Sequence, residues 1–577
     1  MSNTHWIVEG RVDPRWPINT RGNIGEVFPE VLTPLSYALA VKAAEAGWRE
    51  AYRNMGIASA KDFRDAEPVI IGLYGGYGYL NLSYLRMLGV RAPGSSAEAI
   101  DVSFFGEGNP PPYQRRKGDV RPLNSAKILA TVMKALNQKA MPAAVADSQA
   151  AVAAWDARQP DMETADDATL LSFLLSYPPV IQRVFRNHMV TTGLAAIVSG
   201  VLADAAAAAG DPGLVTQLLG AADDVVSARY SQDLWKVAQL VRATPAVSDE
   251  FDRGLAGLAE RLEGVHGSGP VLAAFAGFVS KHGHRGPNDW ELSARTWENT
   301  PSLAWAAVDR MRLAEHDLAP STRLGSNDAD REAAVAKVKP HVKGLDALNF
   351  RQAVRAAPWW ARGREATRDL AIRAHNPTRR AFFELARRAA TRGGTADLRD
   401  VAMLDPFREL PEYVRRPEPF LAVIAERAAL RDRFAKVTPP FFITSQAEVP
   451  SIEELEAQAA SVPATGAAVG DVLKGSPGSP GVARGRARVV MDPADPDGLE
   501  PGEVLIAPLT DPAWTPLFLP AAAVVVNVGA LMSHAVIVSR ELGIPCVVAV
   551  EGATDRIATG TMVEVDGVAG TVTVVEG

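Results

Sequence analysis

The stretch Asn527–Val547, NVGALMSHAVIVSRELGIPCV, runs from a Val-rich segment through Gly529 into a helix that opens at Ser533 and His534. Ser533 is an N-cap residue type, Gly543 stands at the far end and Pro545 just beyond. An imidazole in the first turn of a helix lies beside unpaired backbone N–H groups and the positive end of the dipole. Both disfavour the imidazolium and favour an anion carried on the ring. Neutral imidazole is a nucleophile and phosphorylated imidazole an anion, so the position suits a histidine that carries a phosphoryl group. The ordinary alternative is a histidine that caps or packs.

Two further groups of residues suit phosphate chemistry. In GREATR, 363–368, Arg364 and Arg368 are four apart and share a helical face, where two cations can clamp a transferring phosphoryl group. A solvated Arg-rich helix with Glu365 as ion-pair partner is the other reading. His284, Arg285 and Asp289 lie in a Gly- and Pro-rich loop. There the imidazole or carboxylate could take the proton of an acceptor hydroxyl while Arg285 steers the phosphate, or the loop is a structural knot. A metal site on His282 and His284 lacks a third ligand at ligand spacing, and none is expected. GLYGGYG at 72–78 lacks the helix that completes a dinucleotide fingerprint, and no GK[ST] occurs. Trp359-Trp360 and Phe382-Phe383 read as core, and Cys546 as a small buried hydrophobe.

The elements that must position these residues fall into two textures. Residues 1–456 are mainly helical in pattern, as in Asn124–Gln138 and Leu194–Ala209, with a small strand component and irregular patches at Arg21–Pro34, Gly72–Gly78, Gly106–Pro112 and His282–Asp289. Residues 457–474, rich in small side chains, form a linker of about 50 Å reach when extended. From 475 to 577 the pattern is β: Ala483–Met491, Val504–Leu509, Ala523–Val528, Cys546–Val550, Thr561–Val565 and Thr571–Val575, with one helix at Ser533–Leu542. The fold class is α+β multidomain, a large mostly α-helical domain followed by a small β-rich one.

The chain has 577 residues, room for three to four domains at about 150 each. Its 47% hydrophobic and 22% charged composition is that of a folded globular protein. One cysteine excludes an intrachain disulfide and any multi-cysteine metal site, and fits a reducing cytoplasm. The start lacks the pattern of a secretory signal, charges interrupt the apolar runs, and no membrane association is expected. The net charge of −7 speaks against general nucleic-acid binding. All of it falls after Gly475, where five basic residues face twelve acidic ones. The small domain therefore has a different electrostatic character from the rest.

The C-terminal stretch resembles the mobile phosphohistidine domain of the phosphoenolpyruvate synthase, pyruvate phosphate dikinase and rifampin phosphotransferase families, where a TxxGGxxSHAAIVARExGIP segment holds the phosphorylated histidine. SPGSPGVARGRARVV at 476–490, PGEVLIAPLTDPAWTPLF at 501–518 and GATDRIATGTMVEVDGVAGTV at 552–572 extend the resemblance. It implies that His534 is the phosphorylated residue on a swivelling domain; Gly529-Ala530 replaces the Gly-Gly pair and Asn527 the threonine. RGNIGEVFPEVLTPLS at 21–36, GHRGPNDWELSARTWENTP at 283–301 and GREATR are similar to the acceptor-binding domain of rifampin phosphotransferase. Arg368 there stands for the family's lysine.

The resembling enzymes carry an ATP-grasp region, and no counterpart is seen in these 577 residues. The resemblance therefore implies a split system like phenylphosphate or 4-methylphenyl (p-cresol) phosphate synthase. In it a separate ATP-grasp subunit holds ATP and Mg2+ and passes the β-phosphate to His534, and this chain delivers it to a small, phenolic hydroxyl. Two other readings stand beside it: a carrier relaying phosphate to another protein, and a subunit that phosphorylates rifamycin-type antibiotics.

Overall fold

The computed structural model describes residues 10–577 apart from 64–68, 92–95, 106–109, 117–118, 120–124, 212, 220–225, 314–326, 462–465, 492–498, 511–513, 519 and 530–532. The patch at 106–112 and Ala530 thus fall wholly or partly outside the described residues.

The helical region is built on three helices, Lys42–Met55, Pro178–Ala208 and Gly344–Thr391. Their apolar faces share one core with Trp48, Ile181, Leu194, Phe350, Trp360 and Phe382, all buried. Pro178–Ala208 belongs to a stretch that by length and composition could cross a bilayer, and it packs here between the other two helices. Gly344–Thr391 has 48 residues, about 70 Å of helix. Pro358 and Pro377 lie inside it, where sequence rules would end it. The Val354 carbonyl, which Pro358 cannot bond, accepts instead from the Arg331 guanidinium. Trp360 Nε1 donates to the Ala135 carbonyl at 2.8 Å, so this indole is core, as is Phe382.

A second helical cluster, Val226–Arg242, Gly269–His282 and Ser302–Leu313 among its members, closes around Tyr230, Phe278, Trp297 and Trp305. The small strand component is a four-stranded sheet, order β2-β3-β1-β4, of β1 (Asn19–Thr20), β2 (Ile71–Tyr74), β3 (Tyr77–Asn81) and β4 (Phe442–Ile443). The glycine run at 72–78 is the β2–β3 hairpin with Gly75-Gly76 at its tip, so it does not open a nucleotide-binding helix.

The C-terminal unit is an eight-stranded sheet of β5 (Val472–Lys474), β6 (Ser476–Ser479), β7 (Val482–Val489), β8 (Val504–Ala507), β9 (Ala523–Val526), β10 (Cys546–Val548), β11 (Met562–Asp566) and β12 (Thr571–Val574), in the order β5-β12-β11-β7-β8-β9-β10-β6. Strands β7 to β10 are parallel and the flanking ones antiparallel. Val504 and Ile506 face one core while Leu505 and Ala507 face another, so β8 is buried on both sides. That explains its unbroken apolar run. Cys546 is fully buried.

The linker differs from expectation. A helix, Ile452–Ser461, occupies the start of 457–474, and β5 takes its end into the sheet. Ala467 N–H already donates to the Arg556 carbonyl at 2.7 Å. The span between the last helical residue and β5 is 462–471, about 35 Å if fully extended. The 50 Å reach is therefore overstated.

Gly47 marks where two main helices touch, because a Cβ there would stand 2.2 Å from the Gln182 carbonyl oxygen. Neither backbone can move away without opening the shared core. Gly47→Ala is expected to destabilise the helical region by about 1–3 kcal/mol, read as a lower urea midpoint at unchanged m-value.

Candidate functional site

The helix His534–Leu542 starts where expected. Ser533 is its N-cap, with its hydroxyl accepting from Val536 N–H, and Gly543 ends it in the left-handed conformation at φ 66°. His534 follows the carboxyl end of parallel strand β9, the edge of an α/β sheet where ligand sites form. Thr510, beyond the carboxyl end of β8, and Thr515, opening the short helix Thr515–Phe518, bracket the ring. The Thr510 hydroxyl is 3.1 Å from Nδ1 and that of Thr515 3.3 Å from Nε2. In neutral imidazole one nitrogen donates and the other accepts, so one threonine takes the ring N–H and the other donates to the single in-plane lone pair, which becomes a nucleophile when that bond opens. Phe518 stands edge-on to the ring at 5.7 Å. Asn527 donates to Thr554 Oγ1 at 2.6 Å and accepts from Thr554 N–H, tying down the strand end before the histidine loop.

The small domain is docked on the helical region with His534 facing inward. Leu542 packs against the second helical core as well as its own. Thr515 lies beside the Tyr230 phenol, which burial raises to about 12. Burial holds the His534 imidazole well below its ordinary value, and the Arg368 and Arg285 guanidiniums add to the effect. It is therefore a neutral nucleophile facing two cations, an arrangement ready for a phosphoryl anion.

The three segments singled out at 21–36, 283–301 and 363–368 meet around this point. Glu291 accepts from the hydroxyls of Thr33, at 2.7 Å, and Ser36, at 2.5 Å, joining the first two. Arg379, buried on the long helix, donates to the carbonyls of His284, Asp289 and Glu291 and fixes the second loop from below. Asn23 and Asn288, in these two loops, have φ of 67° and 52°. Such conformations are costly outside glycine and persist where the surroundings enforce them.

Arg285 is buried, with Nε 2.7 Å from Asp289 and Nη1 3.1 Å from Asp369, and its guanidinium lies 5.8 Å over the Tyr230 ring. His284 Nε2 is 3.1 Å from the same Asp369 oxygen. Burial opposes the Asp369 carboxylate, yet His284 and Arg285 outweigh it and hold Asp369 below the usual range. Asp289 thus pairs with Arg285 itself, and His284 pairs through Nε2 with the Asp369 carboxylate that also holds Arg285. His282 pairs with a different carboxylate, Asp233, at 3.1 Å, so the two histidines do not converge.

Of the GREATR cations, Arg368 acts on His534 through its charge, while Arg364 pairs with Glu365 at 3.1 Å. Both bear on His188, which burial and these cations lower to about 3. The two cations that bear on His534 are thus Arg368 and Arg285, and Arg364 bears on His188. Sequence reasoning did not single out Thr510, Thr515, His188, Tyr230 or Asp369. Thr510, Thr515 and Asp369 lie in or directly beside the motifs; His188 and Tyr230 carry no local signal.

Comparison with known proteins agrees with this layout. Residues 185–368 match the family model of the rifampicin phosphotransferase fourth domain, and residues 499–570 that of the PEP-utilising enzyme mobile domain. An uncharacterised protein of Mycobacterium tuberculosis is 28% identical over 98% of this chain and 62% of its own length. A rifampicin phosphotransferase of a Streptomyces species is 29% identical over 63% of this chain and 41% of its own. One of Bacillus cereus is 38% identical over 28% of this chain and 18% of its own. The chain thus spans 62% of the length of the mycobacterial relative.

Arg368 should be felt by His534 directly. In the wild type the His534 ring is expected to stay neutral at pH 6.5, and Arg368→Gln should move its midpoint upward, followed by NMR of the imidazole. Because the docked state disfavours the imidazolium, its stability is full above pH 6.5 and falls as pH drops below that value.

Proposed function

We propose that this chain, which carries a mobile domain of the PEP-utilising enzymes and a rifampicin phosphotransferase domain, is the phosphoryl-carrying and acceptor-binding part of a phosphohistidine-mediated phosphotransferase. The observation that carries the reading is the placement of His534: a neutral imidazole at a helix N-terminus, facing Arg368 and Arg285 of the helical region.

Two in-line displacements make up the reaction. In the first, the His534 lone pair attacks a phosphoryl group of ATP held by an ATP-grasp unit: a P–N bond forms, the P–O bond to the leaving part of ATP breaks, and the ring N–H proton passes to solvent. In the second, docked as here, phospho-His534 meets the hydroxyl of a small acceptor, the P–N bond breaks and an O–P bond forms. Such transfers depend mainly on positioning and on cations matched to the spread charge of the metaphosphate-like transition state. Arg285, fixed by Asp289 and Asp369, and Arg368, four residues along the helix from Arg364, provide that match. A phenolic acceptor such as 4-methylphenol is our first choice and a rifamycin the second.

Loading the protein with labelled phosphoramidate tests the reading. His534 is expected to take the label and His534→Ala to take none. Arg368→Gln should accept label yet pass it to 4-methylphenol or rifampicin about 10²-fold more slowly. Label that leaves only onto another protein would establish the relay instead.

A further inference from the structure

The stretch of the long helix that carries Arg364 and Arg368 also walls a cavity on another of its faces. Arg362 and Ala366 are four apart, as Arg364 and Arg368 are, but lie about 200° round the helix from that pair. The cavity they line has a volume of about 440 Å³ and opens between the long helix, the start of the helix Ala143–Asp156 and the helix Val226–Arg242. That volume is in the range of small-molecule sites. Met141, Pro142, Val145 and Ala366 give it an apolar wall, and Arg362 and Arg229 bring two positive charges to it. None of the described residues lining it is acidic.

The wall is held firmly. A Cβ on Gly363 would stand 2.7 Å from Pro142 Cγ, so the long helix presses its backbone directly on that proline. One turn earlier the Trp360 indole is pinned to the Ala135 carbonyl. The small side chain of Ala366 then leaves the space open.

Arg362 is the unusual member. Arg364, Arg380, Arg387 and Arg388 of the same helix each pair with a carboxylate. Arg362 makes no ion pair and no hydrogen bond among the described residues; its guanidinium lies 5.5 Å over the Trp359 ring, and its Nε is buried without a partner. A buried N–H without an acceptor is costly, and a guanidinium recovers that cost best from an anion. The helix Ala143–Asp156 begins at the same wall with no side-chain cap and no acidic residue in its first turn, so its positive end adds to the charge of the two arginines.

We infer that this cavity binds a small organic anion, an apolar body of about one ring that bears a carboxylate or a phosphate monoester. Arg362 holds the anionic group, and Met141, Pro142, Val145 and Ala366 cover the body. The site is a binding site distinct from the face that carries Arg364 and Arg368, and it does not depend on the role of His534.

The test titrates the full chain, carrying 13C-methyl methionine, with 4-methylbenzoate, 4-methylphenyl phosphate, 4-methylphenol and inorganic phosphate, and follows the Met141 methyl signal assigned through Met141→Leu. At least one of the two organic anions should shift it to saturation, the tighter of them naming the anionic group. The neutral phenol and inorganic phosphate each lack one half of the ligand and should bind at least about tenfold more weakly. Arg362→Gln should weaken the organic anion by at least about tenfold at an unchanged urea midpoint, whereas His534→Ala should bind it as the wild type does. No saturable shift with either organic anion up to about 10 mM overturns the inference, as does wild-type affinity in Arg362→Gln, equal binding of 4-methylphenol, or loss of binding in His534→Ala. None of these outcomes bears on whether His534 carries a phosphoryl group, which the phosphoramidate label decides separately.

Discussion

The site depends on one buried cation. Arg285 is withdrawn from water between Asp289 of its own loop and Asp369 of the long helix, with the Tyr230 ring beneath it. Burying a guanidinium is costly unless carboxylates and good geometry compensate it, and removing one partner would leave an uncompensated charge. That requirement ties the 283–301 loop to the long helix and to the second helical core at once. Asp369 is the neighbour of Arg368, so the contact that fixes Arg285 also sets where Arg368 emerges. The placing of these two cations is a consequence of how the helical region is held together.

Burial and two guanidiniums disfavour protonation of His534, so the ring is neutral where the small domain docks. Under the proposed carrier role, a phosphoryl group would turn that ring into an anion attracted by the same cations, and its departure would remove the attraction. The linker, whose Ala467 N–H is bonded to the Arg556 carbonyl of the small domain, has a shorter free span than its composition suggested.

Local features were legible where local physics decides them. Ser533, Gly543 and Pro545 delimit the His534 helix because capping and left-handed termination are properties of single residues. The Val-rich runs announced strands β8, β9 and β10, and the structure makes them parallel and buried. The long helix was not legible: Pro358 would have ended it, and it continues because a distant side chain, Arg331, takes the orphaned carbonyl of Val354. The linker was misjudged because small residues suit loops, yet 452–461 are held as helix and 472–474 as an edge strand by sheet pairing.

The candidate site divides along the same line. Sequence by itself determined that His534 opens a helix after a buried strand, that two arginines share a helical face, and that a charged Gly-Pro loop accompanies them. All are short-range relations of residue type and spacing. Only the tertiary structure decided which groups remain available for chemistry. Asp289 is paired with Arg285 and His284 with Asp369, Arg364 is turned to Glu365, and Thr510, Thr515 and Tyr230 arrive from segments distant in the chain or from the other domain. Whether a carboxylate pairs, buries or faces a reacting atom is settled by its neighbours in space, and those are set by how the two units pack.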